Sequence, residues 1–149
     1  MRVVVQRVTE ASVTIDGETI STINEGLLLL IGITHNDGEN EIDRITRKIV
    51  TLRIFDDEKG VMNRSVQDIG GSILAVSQFT LYGNCKKGNR PSYIDAAPGA
   101  VSEPLYNAFC DRLEQLLPGK ILRGRFGADM KVRLLNNGPV TILLDSNNL

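Results

Sequence analysis

The sequence predicts an α+β domain whose mainly antiparallel sheets form a barrel-like core, with two principal helices packed against it. Three observations predict this. Segments of β-type sequence outnumber helical ones, many connections between them are short, and only two stretches carry apolar residues at helical spacing. The chain has 149 residues, 42% apolar and 23% charged, close to the globular average. A compact chain of this size buries roughly 68–70% of its unfolded surface, enough for a core without disulfides or metals. No composition shift, repeat or low-complexity linker divides it, so residues 1–149 are read as a single domain.

In chain order, Val3 to Val8 and Ser12 to Ile15 read as strands. Asp16-Gly17 then separates Val13-Thr14-Ile15 from Glu18-Thr19-Ile20, a two-residue hairpin signal because a type I′ turn needs positive φ at both positions. Gly26 opens an apolar run to Ile33 that is too short for a helix and reads as a buried strand. From Glu39 the period changes: Ile42, Ile45, Ile49 and Leu52 share one helical face, leaving Asp43, Arg44, Arg47 and Lys48 for water. After a polar turn at Asp56–Gly60, Gly70-Gly71 precedes a strand from Ser72 to Leu81, and a long loop from Tyr82 to Gly99 follows. A second helix spans about Ser102 to Leu117, with Leu105, Phe109, Leu113 and Leu116 as its stripe and Pro104 in its first turn. Three short strands end the chain: Ile121 to Phe126, Met130 to Leu135 and Val140 to Leu144.

Rare residues narrow the chemistry. One histidine (His35) and two cysteines (Cys85, Cys110) cannot make a four-ligand structural zinc site, and no cofactor fingerprint is visible, so neither metal nor cofactor is expected. Two cysteines make at most one bridge, and reduced thiols suit a cytoplasmic protein. No apolar run approaches the ~18 residues of a membrane span, and no signal peptide is visible. His35, in Thr34-His35-Asn36-Asp37-Gly38, reads as a surface or capping residue, and Cys110 as core.

Charge is uneven. Residues 1–74 hold 8 Lys/Arg against 12 Asp/Glu, whereas residues 75–149 hold 9 against 6. The basic excess gathers in Lys86-Lys87-Gly88-Asn89-Arg90 and in Lys120, Arg123, Arg125, Lys131 and Arg133. Solvated surface is the plainer reading of either cluster; a contact with the phosphates of one RNA end is the sharper one. On the strand from Ser72, alternation places Leu74, Val76, Gln78 and Thr80 on one face and Ala75, Ser77, Phe79 and Leu81 on the other. Its polar end is a candidate site edge, where a hydroxyl and an amide orient water and backbone N–H groups hold an oxyanion. The plainer reading is a strand edge satisfied by its sheet. In Asn137-Gly138-Pro139-Val140-Thr141 the proline marks a turn or the beginning of a strand. Gly-Pro also tolerates a cis peptide, although only about 5–6% of X–Pro bonds are cis.

Taken together, Ser77-Gln78-Phe79-Thr80-Leu81, Lys87-Gly88-Asn89-Arg90-Pro91-Ser92, Phe126-Gly127-Ala128-Asp129-Met130-Lys131-Val132 and Asn137-Gly138-Pro139-Val140-Thr141 resemble the D-aminoacyl-tRNA deacylases. The match runs in order along nearly the whole chain and includes the opening Gln6-Arg7-Val8. Two small departures stand out, Arg123-Gly124 before Arg125-Phe126 and Asn137 before Gly138-Pro139.

The resemblance implies a homodimer with active sites at the subunit interface, hydrolysing the ester between a D-amino acid and the 3′ end of tRNA. It implies a cis Gly138–Pro139 peptide that reaches into the partner's site, facing Ser77, Gln78, Phe79 and Thr80. Backbone oxygens there collide with an L side chain, while glycine, including glycine mischarged on tRNA-Ala, slips through. Thr80 is implied as nucleophile or orienter, with the ribose 2′-hydroxyl as the rival activator of water. Met130 is implied at the pocket edge and Arg7 as a brace of the Gly-Pro segment; Lys86, Lys87 and Arg90 are expected as RNA contacts from their charge. Two other functions stay open: a non-catalytic RNA-end-binding module, and a sibling deacylase with a trans Gly-Pro bond and L specificity.

Overall fold

A computed structural model describes all 149 residues. The strands are β1 (Arg2–Ile15), β2 (Glu18–Ile23), β3 (Gly26–Gly32), β4 (Phe55–Asp56), β5 (Met62–Arg64), β6 (Ser72–Ser77), β7 (Ile121–Arg123) and β8 (Lys131–Asp145). Two helices, α1 (Glu39–Thr51) and α2 (Gly99–Leu116), lie between them in sequence. The main sheet runs β2-β1-β3-β6-β7, and β8 pairs with β1. β1 is antiparallel to β2, β3 and β8, whereas β3–β6 and β6–β7 are parallel. The sheet nearly closes into a barrel, because Ser21 Oγ on β2 donates to the Arg123 oxygen on β7 at 2.6 Å.

Strand alternation divides the apolar residues into two cores. Leu28, Leu74 and Val76 point into the barrel with Val8, Ala11, Val13, Ile15 and Ile23. Leu27, Leu29, Ile31, Ile73 and Ala75 face the other way, onto Ile42, Ile45 and Ile49 of α1 and Phe109 and Leu113 of α2. The helices are tied to each other where Arg112 of α2 donates to Asp43 Oδ1 of α1 at 2.7 Å, and within α1 Arg47 donates to Asp43 Oδ2 at 2.8 Å. Those two hydrogen bonds hold the Asp43 carboxyl below its ordinary range.

The Asp16-Gly17 hairpin forms as expected, with φ of 50° and 79° at the two positions. Several expected boundaries differ. The two strands expected between Val3 and Ile15 are one strand, and the last two expected strands are one 15-residue strand, β8. It bends around Gly138-Pro139, with register shifts against β1 between Gln6 and Val8 and between Val8 and Glu10. β8 has no strand partner other than β1, which is where a proline without an N–H is tolerated.

The strand expected to run to Leu81 stops at Ser77 and becomes a 3₁₀ turn, Phe79–Tyr82. Its neighbours run out there: β7 reaches only Ala75, and Gln78 N makes the last cross-strand bond, to Ile31 O at 2.7 Å. Consequently the alternation expected for Gln78 to Leu81 does not hold. α2 begins at Gly99, three residues before the expected start, so Pro104 sits in its second turn rather than its first.

Candidate active-site cleft

The end of β6 is fixed from below and from the side. Tyr106 of α2 donates its hydroxyl to the Ala75 oxygen at 2.9 Å, deep in the core, and burial pushes that phenol well above its ordinary value. Gly32 lets the 79–82 turn pack close to β3: a Cβ there would lie 3.0 Å from Leu81 Cβ and 3.1 Å from the Gln78 oxygen. Arg2 donates to the Leu81 oxygen at 3.1 Å and stacks on the Tyr82 ring, 4.7 Å from its centroid. Phe79 and Thr80 open the turn, so their N–H groups have no acceptor within it.

Beside this turn lies a cleft of about 570 Å³, within the size range of small-molecule sites. One wall is the Ser77–Phe79 end of β6; the other is built by Tyr93, Ala97 and Pro98 before α2, and by Phe126 to Met130 after β7. Most of the lining is apolar, with Ser77, Gln78 and Ser102 as its uncharged polar groups. Phe79 is 57% exposed, and its ring meets Tyr93 edge to face with centroids 5.0 Å apart. Thr80 stands just outside the lining, exposed, where Gln78 Nε2 donates to its Oγ1. Met130 lines the cleft and covers Gly124, where a Cβ would come within 2.6 Å of its sulfur.

Gly138 and Pro139 do not line the cleft of their own chain. They are exposed on β8, and the peptide between them is cis. Arg7, 7% exposed, holds this segment: its Nε donates to the Asn137 oxygen at 3.1 Å and its Nη1 to the Ile54 oxygen at 2.8 Å. Arg7 and Asn137 also border a second, polar cavity of about 280 Å³ with Glu25, Asp56 and Arg64. Asn136 closes the bend by donating to the Arg7 and Val140 oxygens, each at 3.0 Å. Gly138 has φ +124°, and a Cβ there would lie 2.8 Å from Arg7 Nη2.

Of the basic residues, Lys86, Lys87 and Arg90 are exposed on a loop pinched by an Asn84–Ser92 bridge, and none lines the cleft. In the other cluster Arg123 is taken up by Asp111 at 2.6 Å. The sequence reading missed Tyr93 and Pro98 as cleft residues. The only signal for Tyr93 was an aromatic residue just beyond the basic loop. Cys85 is exposed, while Cys110 is in the core as expected, where burial pushes its thiol up to about 11. No three His, Cys, Asp or Glu side chains converge to hold a metal ion, and no helix is long and apolar enough to cross a membrane.

Comparison with known proteins finds similarity along nearly the whole chain. The chain is 58% identical over 148 residues to a D-aminoacyl-tRNA deacylase of Bacteroides thetaiotaomicron and 57% identical to one of Chromobacterium violaceum, covering 99% of both chains in each case. Its fold matches a solved structure described as c-Myc DNA Unwinding Element Binding Protein, with TM-score 0.93 and 46% identity over 97% of this chain and 98% of that one. It also shares its fold with a probable eukaryotic D-amino acid tRNA deacylase, with TM-score 0.80 and 17% identity over 96% of this chain and 97% of that one. The family model for D-Tyr-tRNA(Tyr) deacylase matches residues 4–145, and the chain belongs to that family.

Proposed function

We propose that the protein hydrolyses the ester joining a D-amino acid to the 3′-terminal ribose of tRNA, releasing free amino acid and free tRNA in the cytosol. The near-complete overlap at 58% identity with a D-aminoacyl-tRNA deacylase carries this reading. An aminoacyl ester is already activated, so the site needs orientation and an oxyanion donor more than a strong base. The free N–H groups of Phe79 and Thr80 suit the oxyanion. The Gln78–Thr80 pair, or the ribose 2′-hydroxyl, orients the attacking water. Water adds to the ester carbon, the ribose oxygen leaves with a proton, and the carboxylic acid departs.

In this reading the active assembly is a homodimer. β8 is a 15-residue edge strand on which Lys131, Arg133, Leu135, Pro139, Thr141 and Leu143 are exposed, Leu135 and Leu143 at 56% and 62%. A long edge with exposed leucines calls for a cover, and a second copy supplies one. Gly138 and Pro139 of one protomer then face Ser77, Gln78, Phe79 and Thr80 of its partner. Their backbone oxygens exclude an L side chain by collision, which discriminates more strongly than a lost methylene contact. Glycine, including glycine mischarged on tRNA-Ala, passes the same test. Lys86, Lys87 and Arg90 contact RNA phosphates.

A second reading, nucleic-acid binding without catalysis, draws on the DNA binding named for the 46% identical relative. Catalytic amounts of protein incubated with D-tyrosyl-tRNA separate the two. Many molecules of free tyrosine per chain support the enzyme; retention of the RNA without release overturns it.

A further inference from the structure

The one histidine has no part in the chemistry proposed above, yet it reaches the wall of the cleft. His35 follows β3, and its Nε2 lies 2.7 Å from the main-chain oxygen of Ile94. A carbonyl only accepts, so Nε2 carries the proton and donates. Two links flank this one: Thr34 Oγ1 donates to the Asp95 oxygen at 2.6 Å, and Ala97 N donates to the Ile33 oxygen at 3.0 Å. The turn that makes these bonds is itself closed by Asp37, whose carboxylate accepts from Thr34 N at 2.8 Å. Residues 93 to 98 lie outside every helix and strand, so this clasp is what fastens them to the sheet. At one end of the clasped segment stands Tyr93, which lines the cleft with its ring edge to face against Phe79, centroids 5.0 Å apart.

We propose that His35 is a positioning residue, which holds the Ile94 carbonyl and thereby sets how far Tyr93 stands from Phe79 in the cleft that receives the terminal nucleoside. This rests on the deacylase reading of the same cleft. His35 acts through Tyr93 and touches no reacting atom. It serves the wall opposite Ser77 and Gln78, so its loss weakens substrate capture and spares bond breaking. The side chain is exposed, and its substitution leaves the core intact.

The test is steady-state hydrolysis of D-tyrosyl-tRNA by the wild type, His35→Ala and His35→Gln, with hydrogen exchange followed over residues 93–97. His35→Ala is expected to raise KM about five- to tenfold, the effect of one net hydrogen bond, with kcat within about twofold. Exchange over 93–97 accelerates in the same variant. His35→Gln, whose amide nitrogen donates from a similar reach, restores KM and exchange to near wild type. An unchanged KM in His35→Ala, a fall in kcat at constant KM, or a Gln variant as impaired as the Ala variant overturns the proposal. A wild type that releases no tyrosine overturns the deacylase reading instead. Hydrogen exchange then decides the clasp alone, and no acceleration in His35→Ala refutes it.

Discussion

Arg7 donates from Nε to the main-chain oxygen of Asn137 at 3.1 Å, across 130 residues of sequence, and from Nη1 to the Ile54 oxygen at 2.8 Å. One buried guanidinium therefore fixes the position of the segment that carries Gly138 and Pro139. Arg7→Ala leaves two inward carbonyls without a donor and costs about 2–4 kcal/mol of stability. It also frees the bend, so the ratio of D- to L-tyrosyl-tRNA hydrolysis falls at least tenfold. Thermal unfolding and the two rates check this together; an unchanged ratio contradicts the bracing role.

Gly138 sits at φ +124°, where L side chains are rarely found, and a Cβ would press on Arg7 Nη2 and, at 3.0 Å, on Val140 Cγ2. Gly138→Ala is expected to lose about 1–3 kcal/mol of stability. Its activity on D-tyrosyl-tRNA falls by more than tenfold, because the displaced segment no longer fits the partner's cleft. Wild-type turnover by a destabilised variant would contradict the placement.

Thr80 is exposed, with its hydroxyl engaged only by Gln78. Thr80→Val keeps the shape and removes the hydroxyl, so stability stays within about 0.5 kcal/mol of wild type. Hydrolysis stays within about tenfold if the ribose hydroxyl activates water and backbone N–H groups hold the oxyanion. Single-turnover rates check it. Near-complete loss with unchanged tRNA binding would assign the reaction to the threonine hydroxyl.

Burial pushes the Cys110 thiol up to about 11, while the unfolded chain ionises its thiol near the ordinary value of 9.0. Above pH 9 the unfolded chain therefore sheds a proton that the fold retains, and stability falls as pH rises. Between about pH 9 and 11 the loss amounts to about 2–3 kcal/mol from this group. Tyr106, also raised by burial, adds to the decline at higher pH. Cys110→Ala lowers stability at neutral pH by leaving a small cavity, yet flattens the decline above pH 9. Denaturant midpoints at pH 7, 9 and 10 test this, and equal slopes in both proteins would contradict it.

Local chemistry made much of the fold legible. Asp16-Gly17 announced its turn, Ile42-Ile45-Ile49 announced the buried face of α1, and Cys110 announced a core thiol. What escaped depends on neighbours distant in sequence. Residues 78 to 81 have strand-like composition, but β7 ends opposite Ala75 and leaves them nothing to pair with. Pro139 looked like a break between two strands, yet β1 runs beneath the whole of β8 and carries the pairing past it. Within the Ser77–Thr80 motif, Ser77, Gln78 and Phe79 form one wall of the cleft and Thr80 stands beside it. The opposite wall, with Tyr93 and its tether to His35, comes from a loop whose position is set by β3, and no periodicity in that loop betrays it.

The central claim is selection by chirality. Single-turnover rate constants for D-tyrosyl-tRNA and L-tyrosyl-tRNA, measured side by side with the wild-type protein, test it most directly. Collision at the α-carbon predicts rapid hydrolysis of the D ester and an L rate at least about a hundredfold slower, close to the spontaneous rate. Comparable rates, or faster release from the L ester, would contradict it.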